Sequence, residues 1–233
     1  VNDLFDNNTF AHDPRVDFLN WAAIEASAFD YAADAFGFTM GAAVERFRDG
    51  WAYRVGAFEL SDVPNGTNLA SHFNEYQALV ELEKSIALGG STGKLRATAY
   101  RSRAKLGSLA EALRRSSLTG APADTAMLRK FDHRSGGVLG LEWSFSEKIG
   151  VFARVGSSSG EVEAYDFTDV DRSLQGGLSL GGAIWQRPED RLGVAIMQNE
   201  ISVLRRRYFA AGGLGILVGD GKLPHPGSCL LYT

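Results

Sequence analysis

Charged side chains recur along this chain at positions whose neighbours are apolar: Glu45, Arg54, Glu81, Glu83, Arg96, Glu142 and Arg154, with Tyr100 in the same pattern. Such groups can do one kind of chemistry without a catalytic centre. Guanidinium and carboxylate groups exchange hydrogen bonds with hydroxyls, and an aromatic ring packs against the apolar face of a pyranose. Both signs of charge are present, which suits neutral solutes better than a strongly selective ion path. The same charges would also serve simply to solvate a polar face.

Other groupings carry less. His12, His72, His133 and His225 lie in inferred loops and lack the close pairing of a metal site. Asp3, Asp6 and Asp13 beside Asn7 and Asn8 offer oxygen ligands of the kind calcium takes, though loop solvation accounts for them. Gly213-Leu214-Gly215 with Gly219 lacks the phosphate-loop spacing, and a turn at Asp220-Gly221 explains it better. Arg205-Arg206-Arg207 forms a basic cluster that could meet anions or lipopolysaccharide at a rim, or be solvated. No serine, histidine and acid arrangement can be assembled, so no catalytic residue, metal or cofactor is assigned.

The elements that must position these residues have a period of two, the spacing of a strand with one apolar and one wet face. From Ala35 to Glu45, Phe36, Phe38, Met40, Ala42 and Val44 alternate with Gly37, Thr39, Gly41, Ala43 and Glu45. After the connector Arg46 to Gly50, Trp51, Tyr53 and Val55 oppose Arg54 and Gly56. The pattern returns with Val80 and Leu82 against Glu81 and Glu83, then from Lys94 to Arg103 with Leu95, Ala97 and Ala99 against Arg96, Thr98 and Tyr100. Leu139, Leu141 and Trp143 oppose Gly140, Glu142 and Ser144; Val151, Ala153 and Val155 oppose Phe152 and Arg154. Leu174, Leu178 and Leu180 oppose Ser173, Gln175 and Ser179, and Leu192, Val194 and Ile196 open the last segment.

About eight strands are therefore expected, and their connectors alternate short and long. Short turns follow strands one, three, five and seven; long connectors follow two, four and six, the longest from Ala104 to about Arg134, with a short helix near Ser108 to Ser116. An outer-membrane β-barrel sorts its connectors in this way, short on the periplasmic side and long outside. A sugar-binding or structural β-sandwich, which would bury Phe36, Tyr53, Leu141 and Leu180 between sheets, is the alternative.

Composition allows a barrel. The 233 residues are 45% hydrophobic, yet the longest apolar run, Phe209 to Val218, is interrupted by Gly212, Gly213 and Gly215 and is too short for the roughly 18 residues of a membrane helix. A net charge of -4 argues against a nucleic-acid partner. The lone Cys229 leaves no internal disulfide.

Several runs, in order along the chain, resemble the OprB-like carbohydrate-selective porins: Asp3-Leu4-Phe5-Asp6-Asn7-Asn8, Phe18-Leu19-Asn20-Trp21-Ala22, Phe29-Asp30-Tyr31-Ala32-Ala33-Asp34, and Phe58-Glu59-Leu60-Ser61-Asp62-Val63-Pro64-Asn65. Gly150-Val151-Phe152-Ala153-Arg154, Asp171-Arg172-Ser173-Leu174, Ala210-Ala211-Gly212-Gly213-Leu214-Gly215 and Gly219-Asp220-Gly221 continue the likeness. The resemblance implies an all-β, antiparallel transmembrane barrel of about sixteen strands, of which about eight are present, passing carbohydrates by diffusion through the outer membrane. It implies mono- or oligosaccharides and outer-membrane lipid as partners, and a homo-oligomer is compatible with it.

The expected layout is one porin-type domain over residues 1–233: a loop segment at 1–34, strands at 35–202, and a glycine-rich loop with an atypical end at 203–233. The opening on Val1 and the ending at Pro226 to Thr233 suggest a leader removed, or a piece cut or frameshifted from a longer gene.

Overall fold

Every strand pairs antiparallel with the next in sequence, giving a single sheet in the order β1 to β9. The structure is a computed structural model that describes residues 1–18, 20–216 and, for the backbone, 228–232. Leu19, Val218, the expected turn at Asp220-Gly221, His225 and the Pro226-Gly227 ending lie outside the described residues, as do the side chains of Ser71 and Cys229.

The strands are β1 (Gly41–Arg48), β2 (Trp51–Glu59), β3 (Tyr76–Leu88), β4 (Ser91–Leu106), β5 (Lys130–Ser146), β6 (Ile149–Ser158), β7 (Arg172–Gly181), β8 (Arg191–Glu200) and β9 (Ser228–Tyr232). Among the described residues β1 has no strand on its outer side and does not meet β9, so the sheet is open. The short connectors are short for a local reason. Asp49 and Gly50 both take positive φ, as do Gly89 and Gly90, and two such residues in succession make the turn whose twist matches a β-hairpin.

Several boundaries differ from the sequence expectation. The first strand starts at Gly41 rather than Ala35, because the carbonyl and side chain of Asp34 turn the chain back by accepting from the amides of Gly37, Phe36 and Phe38. Phe47 and Arg48, read as connector, pair with Ala52 and Trp51. Pairing with β5 extends β4 to Leu106, which shortens the longest loop to residues 107–129 and moves His133 from loop to strand. The expected loop helix is α1 (Leu109–Thr119), started by Ser108, whose Oγ accepts from the Glu111 amide at 3.4 Å, and ended by Gly120 at φ 71°.

A second helix, α2 (Val203–Ala210), forms where a glycine-rich loop was expected. Its Ser202 cap has Oγ accepting from the Arg205 amide at 3.1 Å, and Tyr208 and Phe209 pack with Leu109 and Ala112 of α1. The basic run gave no helical signal because Arg205 is not a surface residue: it is buried against Asp169 at 3.1 Å and Asp171 at 3.0 Å, so it is no free rim cation.

Residues 1–40 hold little regular structure, but they are packed. They lie across one face of the sheet, where Phe5, Ala26, Phe29 and Ala32 join Phe58, Leu79, Tyr100 and Val138, and where Phe18 meets Phe152 and Met197. Burying a phenylalanine is worth about 1.5–3 kcal/mol, so these contacts, with the hydrogen bonds below, fix the segment in place. The other face stays bare: Val55, Val80, Leu82, Leu139, Leu174, Val194 and Ile196 are exposed. No second sheet covers them among the described residues, which overturns the sandwich alternative.

Candidate pore-lining site

The antiparallel register puts the expected polar residues in one row across the sheet. Glu45 lies opposite Arg54, Arg54 opposite Glu81, Glu83 opposite Arg96, Lys94 opposite Glu142, and Gly140 opposite Arg154. Because strand side chains alternate, a shared row means a shared face. Arg54 bridges three strands, with Nε donating to Glu45 at 2.7 Å and Nη1 to Glu81 at 2.7 Å and Glu83 at 3.2 Å. Arg96 continues the chain of charges, with Nε 2.8 Å from Glu83 and Nη1 3.7 Å from Glu142, and Lys94 is 3.3 Å from Glu142.

The row is not bare to solvent along its length, because the amino-terminal segment is laid over its middle. The Asp6 amide donates to Glu81 at 2.7 Å, the Thr9 amide and hydroxyl each donate to Glu142 at 2.8 Å, and Arg96 Nη1 donates to the Asn7 carbonyl. Arg154 is only 1% exposed; it lies 3.3 Å from Asp6 and donates to the carbonyls of Asp6, Ala11, Ala23 and Ile24. Tyr100 stands apart from this row, beside Arg134, with its hydroxyl donating to the Ala28 carbonyl at 3.2 Å and its ring against Phe29. Glu45 and Lys94 are the ends that open to water, and Arg54 is half-buried between Glu45 and the covered part.

Sequence reasoning missed the partners that hold this cover. Gln77 accepts from the Ala32 amide at 3.0 Å, and Gln175 Nε2 donates to the carbonyls of Ala22 at 2.7 Å and Glu25 at 3.0 Å. Asp30 accepts from three backbone amides, those of Tyr165, Asp166 and Phe167, and so ties the segment to the connector 159–171. Gln175 was legible as a polar-face residue at even spacing; Gln77, at the start of its strand, and the acceptors in the irregular segment had no period to announce them. Of the loop aromatics, Phe29 is buried, Tyr31 stacks on Phe167 at 4.5 Å, and Trp21 stays exposed.

Burial also sets protonation. Glu25 is held well above the ordinary carboxylate range because it is buried, and the neighbouring Asp6 adds to this. Asp166 is raised in the same way, by burial and then by Asp30. His12 pairs with the exposed Asp3 at 3.0 Å, and Asp13 accepts from the Arg15 amide. Among the described residues no three side chains of metal-ligating type gather at one point.

This arrangement is an open antiparallel sheet with one apolar and one charged face. The model of the carbohydrate-selective porin OprB family matches residues 1–220. The chain belongs to that family. No curated protein matches it. A solved structure, Pseudomonas putida OprB at high pH, is 20% identical with a TM-score of 0.57 and covers 72% of this chain. The OprB-family chain described here spans 42% of that structure's length, and at this identity the likeness concerns the fold. The open sheet is thus part of a transmembrane β-barrel.

Proposed function

We propose that this chain builds part of an outer-membrane channel through which carbohydrates and other small neutral solutes diffuse. The observation that carries the reading is the sorting of side chains by face: Glu45, Arg54, Glu81, Glu83, Arg96, Glu142 and Arg154 all lie on one face, and Val55, Val80, Leu139, Leu174 and Val194 on the other. In lipid the apolar face needs no partner, while the charged face requires water or protein. The description of the family supplies carbohydrate as the solute class.

No bond needs to be made or broken. Glu45 and Lys94, the members of the row that open to water, would replace part of a sugar's hydration as it passes, while the covered charges keep the amino-terminal segment seated as one wall of the path. Outer-membrane lipid is the partner of the apolar face, and association of copies is compatible with it. Liposome swelling with the full-length protein tests the channel. Neutral monosaccharides should swell the vesicles faster than a charged solute of similar size, and no sugar-dependent swelling above protein-free liposomes would overturn the proposal.

A further inference from the structure

Away from the charged row, the amino-terminal segment encloses a cavity of about 340 Å³ against the connector 159–171 and the end of β8. Its wall is formed by Trp21, Glu25, Ser27, Tyr31, Phe167 and Asn199 among others. It lies at the end of the sheet that carries the long connectors, since Phe167 belongs to one of them and Asn199 is the penultimate residue of β8. No lysine or arginine lines it.

The wall has two kinds of surface. Tyr31 and Phe167 stack with ring centres 4.5 Å apart at 24°, and Trp21, 66% exposed, presents an indole ring with the Arg15 guanidinium 6.0 Å from its centre. Interspersed are polar atoms left without partners. Asn199 Oδ1 is shielded from solvent and accepts no hydrogen bond among the described residues. Just behind the wall, Gln175 gives its Nε2 hydrogens to Ala22, Glu25 and Ser27, which leaves its buried Oε1 without a donor. A shielded acceptor with no donor costs about 1–3 kcal/mol, and an incoming hydroxyl relieves that cost. The Glu25 carboxyl, raised by burial, keeps its proton to higher pH and can then donate as well as accept.

Aromatic faces beside a few convergent polar atoms, in a pocket of a few hundred cubic ångströms, are the complement of a small ring with an apolar C–H face and hydroxyls at its edge. We propose that this cavity docks one neutral pyranose at the outer mouth of the channel, with Trp21 as the stacking face and Asn199 and Glu25 as hydrogen-bonding groups. The proposal rests on the carbohydrate reading above and adds a site separate from the charged row.

The test uses the full-length protein in detergent, titrated calorimetrically with methyl glucoside and, as an acyclic control with hydroxyls but no ring face, mannitol. Saturable binding of the glucoside alone is expected. Trp21→Ala and Asn199→Leu should each weaken it by about fivefold or more, whereas Trp21→Phe should keep most of it. Trp21 is exposed, so its variants should keep the wild-type heat-modifiable mobility on gels. Equal binding of mannitol, or unchanged binding in both Trp21→Ala and Asn199→Leu, would overturn the site. Sugar-driven liposome swelling without ring-selective binding would also overturn the site and leave the channel standing; ring-selective binding without swelling would overturn the channel and leave the site.

Discussion

Arg154 and Asp6 meet at 3.3 Å across the boundary between the sheet and the amino-terminal segment, both almost wholly removed from solvent. A buried guanidinium is tolerated where its charge is paired and most of its hydrogens are used; here Nη1 and Nη2 donate to backbone carbonyls of the covering segment, and Nε faces the Asp6 carboxylate as an ion pair. Arg154→Met would leave Asp6 without its partner, and breaking a buried pair in this way costs about 3–5 kcal/mol. The segment should then loosen before the sheet does. Limited proteolysis is expected to cut within residues 1–40 faster in Arg154→Met than in wild type, and Arg154→Met with Asp6→Asn should recover part of the protection. Equal cutting of all three proteins would show that the pair does not hold the segment.

Leu141 and Glu142 are neighbours that face opposite worlds. Leu141 is 37% exposed on the outer face, while Glu142 accepts from Thr9 and lies near Lys94 and Arg96. Leu141→Arg should impair insertion, since a cation at mid-bilayer on a barrel costs about 2–4 kcal/mol. Glu142→Arg would set a cation against Lys94 and Arg96 and remove both Thr9 bonds, so it too should misfold. Glu142→Gln is the better probe. It keeps an acceptor for Thr9, removes one negative charge, and should shift the reversal potential toward anions without loss of the heat-modifiable form.

The eight strands that carry the site were legible because a half-buried strand writes its two faces into alternate residues. Glu81, Glu142 and Arg96 could be assigned to one polar face from the alternation alone. What was not legible is the cover over that face. Asp6, Thr9 and Asp30 act through one to three hydrogen bonds each to residues 75 to 137 positions away, and such contacts leave no periodic trace. The helix α2 was hidden for a related reason: Arg205-Arg206-Arg207 reads as a solvated run, and only the distant pair Asp169 and Asp171 makes burial of Arg205 tolerable.

The raised carboxyls Glu25 and Asp166 give the packing of the amino-terminal segment a definite pH dependence. A carboxyl that holds its proton more tightly folded than unfolded contributes its stabilisation fully below the unfolded value, near pH 4, and loses it as pH rises through the folded value. From these two groups, stability should fall on going from about pH 4 upward, the reverse of an ion-paired carboxylate. Thermal unfolding across that range, compared with Asp166→Asn and Glu25→Gln, should show a shallower decline in each variant. A slope unchanged in both variants would remove these residues from the account.

Trp143 lies with its ring across Gly93 on the neighbouring strand, at the short-turn end of the outer face, where the two residues are directly paired. A methyl group at Gly93 would collide with the ring itself rather than with a movable chain end. Glycine here is a requirement of close approach, since the indole covers backbone that would otherwise face lipid. Gly93→Ala should therefore push the ring out and cost about 1–3 kcal/mol, in line with overpacking elsewhere. Trp143→Ala alone should also destabilise, by loss of the cover. The two costs should not add fully: with the ring gone, the added methyl still meets the Glu142 carbonyl oxygen at 2.7 Å but no longer the ring, so the double variant should lose less than the sum of the two single losses. Urea unfolding in lipid vesicles measures all four proteins, and fully additive losses would mean that the ring and the glycine do not depend on each other.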